Sequence, residues 1–145
     1  MNNRDSNYPF HYVVGLPVTN LPTTGTASYT ALGATASCSF GCSSAEVTGS
    51  TISVTFGTSN FHGNFTLGLK VDGMQNNFAG GLSGYNSSAK FSANASVGVN
   101  GAGLYMNGQG FLAGPGASRA GMAYSVSGSM YEGSLAVKGV VAYKR

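Results

Sequence analysis

A chain of 145 residues has the length of one ordinary domain and can bury a sizeable core. Glycine is 23 of those residues and only 8% are charged, yet 42% are hydrophobic, which excludes a disordered chain outside its ends. The net charge of +3 comes from seven scattered Lys and Arg, with Lys144 and Arg145 a pair rather than a patch, so a basic nucleic-acid stripe is excluded as well.

Residues 1–22 read as an irregular lead-in, because Pro9, Pro17 and Pro22 each fix φ and remove a donor. Their polar start, MNNRDSNY, carries no signal-peptide pattern, and no apolar run in the chain reaches the ~18–20 residues of a transmembrane helix. Tyr12, Val13 and Val14 could make a short edge strand or a plug.

The barrel domain is expected over 23–145, where period-two segments recur. The first is expected at 24–35. The second, at 46–57, puts Ile52, Val54 and Phe56 on one face. The third, at 61–72, aligns Phe65, Leu67, Leu69 and Val71, and Asp72-Gly73 then signals a tight hairpin. A fourth at 75–85 ends in a turn from Tyr85 to Ser88, and a fifth at 88–98 aligns Phe91, Ala93, Ala95 and Val97 before Asn100-Gly101. The sixth and seventh, 103–113 and 118–127, flank a Gly114-Pro115-Gly116 corner, with Met122, Tyr124 and Val126 in register. The eighth, 131–144, aligns Leu135, Val137, Val141 and Tyr143.

Short connections make neighbouring strands antiparallel, and a meander of eight is best finished by closing, which removes its edges. The expectation is all-β: an eight-stranded antiparallel up-and-down barrel, soluble, with a two-sheet sandwich as the second choice. An outer-membrane barrel shows the same alternation with its faces exchanged. Small polar residues on the second face and short turns favour the soluble form.

Catalytic groups are sparse. The acids Asp5, Glu46, Asp72 and Glu132 offer no pair spaced for acid–base work, and neither histidine sits in a nucleophile motif. The chain is therefore expected to be non-catalytic, with no cofactor. Gly108-Gln-Gly110-Phe-Leu-Ala113 matches a loose dinucleotide fingerprint, but Gly-Pro-Gly follows where a helix must open. Asn64, Asn86 and Asn94 begin glycosylation sequons that a chain so rich in Ser, Thr and Asn yields by chance. His11 and His62 are the candidates for haem ligation, against the plainer reading of ordinary polar residues. Cys38 and Cys42, placed in a small-residue loop, have no neighbouring His for zinc and the wrong spacing for a redox pair. A small disulfide stapling a loop tip fits better than two free thiols and favours an oxidising compartment.

Three stretches carry a family resemblance: His11-Tyr-Val-Val-Gly15-Leu-Pro, Leu21-Pro-Thr-Thr-Gly-Thr-Ala-Ser-Tyr-Thr30, and Gly110-Phe-Leu-Ala-Gly114-Pro-Gly-Ala117-Ser-Arg-Ala-Gly121-Met-Ala-Tyr124. Over about residues 11–145 the chain resembles the C-terminal barrel of the transferrin-binding protein B family. Related barrels occur in other Gram-negative surface lipoproteins, such as the factor H-binding protein, and at the end of FecR-domain proteins, to which this chain looks closer. The resemblance implies a soluble barrel at the cell surface or in the periplasm, outer-membrane associated if an anchor belongs to a longer product. It implies protein–protein interaction with a host or envelope protein. It does not imply transferrin, because binding in that family depends largely on loops and a second lobe, and the loops here are short. A carrier of haem or a lipid-like molecule is the second reading, and an outer-membrane barrel the third.

Overall fold

The computed structural model describes residues 14–99, 102–130 and 133–145. Within them the chain forms eight strands: β1 Thr26–Phe40, β2 Ala45–Phe56, β3 Asn60–Val71, β4 Met74–Tyr85, β5 Lys90–Val99, β6 Ala102–Ala113, β7 Arg119–Met130 and β8 Gly133–Lys144. Each pairs antiparallel with the next, and β8 returns to β1, closing the barrel. The sandwich is therefore not adopted.

The alternation read from the sequence sets the faces. Ile52, Val54, Phe65, Leu67, Leu69, Met122, Val126, Val137 and Val141 turn inward and are buried. Thr51, Ser53, Thr55, Thr66 and Ser83 turn outward. An eight-stranded barrel is just wide enough to be filled by side chains, and this one holds Tyr29, Phe61, Phe65, Phe78 and Tyr143 fully buried.

Such rings need room on the facing strand, which explains much of the glycine. Phe61 pairs across with Gly84, Phe91 with Gly110 and Tyr124 with Gly139. A Cβ on any of these three glycines would overlap the ring of its partner. Gly108 and Gly110 of the apparent nucleotide motif are thus wall positions under Met122 and Phe91.

One end of the barrel, the upper end, carries the turns at 57–59, 86–89 and 114–118. The lower end carries the loop at 41–44 and the turn at 72–73. Positive φ at Asp72 (48°) and Gly73 (83°) makes the latter the expected two-residue hairpin. The Asn100-Gly101 turn lies outside the described residues.

The upper end is closed by the corner after β6 and by the lead-in. Gly114, Gly116 and Ala117 all have positive φ, and the fold this allows buries Ala117 completely. The lead-in crosses this corner through a parallel bridge between Thr19 and Pro115, with Gly116 N–H donating to the Thr19 carbonyl at 2.7 Å. Val18 and Leu21 pack on the core and do the plugging. Of the stretch 12–14, read as a possible edge strand or plug, Val14 is exposed, and Tyr12 and Val13 lie outside the described residues.

The first strand also runs further than its alternation suggested, through Cys38 to Phe40. Leu32 forms a bulge in its pairing with β8. Cys38 is therefore a strand residue rather than part of a loop, and its Cα lies 5.7 Å from that of Cys42, to which it is disulfide-bonded.

Candidate binding surfaces

Three inward tyrosines thread polar contacts through the apolar lumen. The Tyr29 hydroxyl donates to the Ala117 carbonyl at 2.6 Å. Tyr124 crosses over Gly139 to donate to the Thr35 carbonyl at 2.8 Å. The Tyr143 hydroxyl lies 2.6 Å from Ser50 Oγ, which donates onward to the Thr66 carbonyl at 2.7 Å. Burial pushes the Tyr143 hydroxyl up from 10.0 to about 12, against a smaller opposing pull from Ser50. Burial also raises Tyr124, with the Tyr143 charge adding to it, and raises Tyr29 against a counteracting Arg145. These hydroxyls stay protonated and bonded, so they tie strands together rather than act as bases. Sequence reading placed Tyr124 and Tyr143 on the apolar faces of their strands but gave no sign of their partners, which lie on other strands.

Two outer walls differ in chemistry. Across β1, β2 and β3, register aligns Thr26, Thr55 and His62; Ser28, Ser53 and Asn64; and Thr30, Thr51 and Thr66. All nine are exposed, and none carries a fixed charge. Thr51 and Thr66 hydroxyls bond each other at 2.7 Å. The second wall, which adjoins the first at β1, places Phe111, Gly121, Ala142 and Gly33 in one row across β6, β7, β8 and β1. Two glycines and an alanine make that row a trough. It opens into a groove of about 490 Å³ lined by Leu16, Leu32, Phe111, Ala113, Ala142 and Arg119.

The two histidines are not brought together by the described structure. His62 is an exposed member of the hydroxyl wall, with Thr55 and Ser83 as its strand neighbours, and His11 lies outside the described residues. Among the described residues no group of three or more His, Cys, Asp or Glu could hold a metal ion. Asp72 acts locally. Its Oδ1 accepts the Ser43 and Ser44 N–H groups at 2.7 and 2.8 Å, tying the disulfide loop to the β3–β4 turn. Glu46 faces Lys70 across the strands, and Asp5 and Glu132 lie outside the described residues. Of the sequon asparagines, Asn86 spends its amide on the Gly57 carbonyl at 2.8 Å.

Among the described residues no helix is long and apolar enough to cross a membrane. Compared with known proteins, the chain matches no family model, no curated protein and no solved structure.

Proposed function

We propose that the chain is a non-catalytic bacterial binding module, at the cell surface or in the periplasm, that meets a protein partner with its outer wall. The observation that carries this reading is the filled lumen. Tyr29, Phe61, Phe65, Phe78 and Tyr143 occupy the space a central ligand would need. Binding is thereby directed to the outside, where the β1–β3 wall offers a regular field of hydroxyl and amide groups. Ser, Thr and Asn supply adaptable hydrogen bonds at protein interfaces. The disulfide supports an oxidising compartment. The sequence resemblance to transferrin-binding protein B-like barrels points to the same class of module and to a host or envelope protein as partner.

The filled lumen weighs against the haem or lipid carrier that uses the barrel interior. The outward Thr, Ser and Asn weigh against an outer-membrane barrel, which needs an apolar band facing lipid.

Capture of envelope proteins by the immobilised chain, repeated with Thr51→Arg and Asn64→Arg, tests the reading. A partner retained by the parent and lost with both variants supports it. A partner retained by both overturns the assignment to this wall. Titration with haemin should give no Soret shift, and a shift abolished by His62→Ala would overturn the module in favour of the carrier. Monodispersity without detergent is expected, and a sample soluble only in detergent speaks for the membrane barrel.

A further inference from the structure

The groove on the second wall has a chemistry of its own. Leu16 is 76% exposed at one side and Leu32 is 55% exposed at the other. Both are large apolar side chains left in water beside a recess floored by Ala142 and Phe111. The volume of about 490 Å³ falls within the roughly 300–1,000 Å³ of small-ligand sites.

The rim toward the upper end is cationic. The next row places Ala113, Arg119, Lys144 and Thr30 side by side, so Arg119 and Lys144 stand directly opposite each other on adjacent strands. Like charges in that position repel. The described acidic side chains, Glu46 and Asp72, both lie at the lower end of the barrel. Among the described residues, the Arg119 guanidinium donates to the Ser118 carbonyl at 3.5 Å. An anion placed between Arg119 and Lys144 relieves their repulsion, and a hydrocarbon chain running from it down the trough covers Leu32, Ala142 and Phe111.

The geometry points to a binding site for one single-chain anionic amphiphile, a long-chain carboxylate held head-up at Arg119 and Lys144 with its chain in the groove. This site is additional to the hydroxyl wall, which it meets at Thr30 on β1. The exposed side chains Tyr85 and Lys90 continue the Phe111 row on the far side.

Calorimetric titration of the full chain with decanoate, dodecanoate and tetradecanoate, each below its micelle concentration, tests the proposal. Saturable one-to-one binding is expected, tightening about two- to fourfold per added methylene as the chain is buried. Dodecyltrimethylammonium, with the same chain and the opposite charge, should not bind. Arg119→Glu should weaken dodecanoate about tenfold, and Arg119→Lys should keep most of the affinity. Leu32→Asp should weaken every chain length, whereas Asn64→Ala on the other wall should change nothing. The substituted side chains are exposed, so unchanged melting curves show that the fold is kept. The proposal is overturned by absence of saturable binding, by indifference to chain length, or by equal binding of the cationic amphiphile. It is equally overturned if Leu32→Asp binds like the parent, or if the protein binds phosphatidylglycerol vesicles but no monomeric carboxylate.

Discussion

The wall of β6, β7 and β8 and the seam between β1 and β2 belong to the same closed barrel but are built to different standards. β7 pairs with β6 from Gly103 to Ala113 and with β8 from Gly133 to Lys144, without a register shift. β1 and β2 pair only between Thr26–Thr30 and Thr51–Thr55. Below that point β1 keeps to β8 and β2 keeps to β3, with bulges at Leu32 and Ser39 in the first ladder and at Thr48 in the second. The hairpin thus opens toward its own loop. Ala31 and Ala34 share register rows with the inward Tyr143 and Val141, yet both are exposed. The seam between β4 and β5 is similar, with pairing confined to Gly81–Tyr85 and Lys90–Asn94. Closure of such a barrel is therefore uneven. Where β1 and β2 part, side chains such as Tyr143 and Ser50 reach across between strands.

The largest expected effect breaks the continuous wall. Gly110 lies under the Phe91 ring and close to the Gly121 carbonyl, and a side chain there meets both. Gly110→Leu should cost more than about 3 kcal/mol, the upper part of the range for overpacked cores. Chemical denaturation followed by circular dichroism checks this. The outward Gln109→Leu, one residue away, should stay within about 0.5 kcal/mol of the parent. Similar stability for the two variants would show that glycine at the rings is not what the barrel requires.

The seam is next. The chain from Tyr143 to Ser50 to the Thr66 carbonyl spans β8, β2 and β3 just where β1 and β2 part. Tyr143→Phe should cost about 1–3 kcal/mol, the penalty of leaving a buried polar partner less satisfied. It should also change the response to alkali. Unfolded tyrosine ionises near pH 10, while folded Tyr143 holds its proton to about 12. Between those values only the unfolded chain loses this proton, so stability is complete below pH 10 and falls as pH rises toward 12. Tyr124 and Tyr29 are shifted in the same direction and steepen the loss. Melting temperatures from pH 9 to 12 should therefore fall less steeply in Tyr143→Phe than in the parent. Parallel curves would mean that this hydroxyl is not a seam contact.

This difference between wall and seam also separates what the sequence reveals from what it conceals. Strands with large alternating residues, such as Ile52 to Phe56 and Phe65 to Val71, are legible from their period alone. The Asp72-Gly73 turn is legible because its φ values demand those residues. The lower half of β1 is not, since Ala31 to Ser39 is mostly small residues beside an open seam and has no apolar face to display. That is why Cys38 reads as loop. Alternation also cannot say which face is inside. The answer lies in cross-strand pairs such as Phe61 with Gly84, which only register reveals. The groove is hidden for the same reason, because Gly33, Phe111, Gly121 and Ala142 are far apart along the chain and meet in one row only after closure.

The smallest effect is expected at the loop that ends the open seam. The Cys38–Cys42 bond closes a ring of only a few residues, so in the chain-entropy account it contributes about 2 kcal/mol or less. Its partner is Asp72, whose carboxylate fixes Ser43 and Ser44 from the neighbouring turn. Two local ties on one exposed loop should partly substitute for each other. Cys42→Ser and Asp72→Ala should each lower the denaturation midpoint slightly, and the double variant should lose more than the sum. The loss should fall mainly on β1 and β2. In hydrogen exchange, amides of Ala45–Gly49 that point away from β3 should exchange faster than those of β7 in the parent, and faster still in the double variant. Strictly additive losses, or equal exchange in β2 and β7, would mean that the disulfide loop does not hold the seam and that the two regions are alike in stability despite their different pairing.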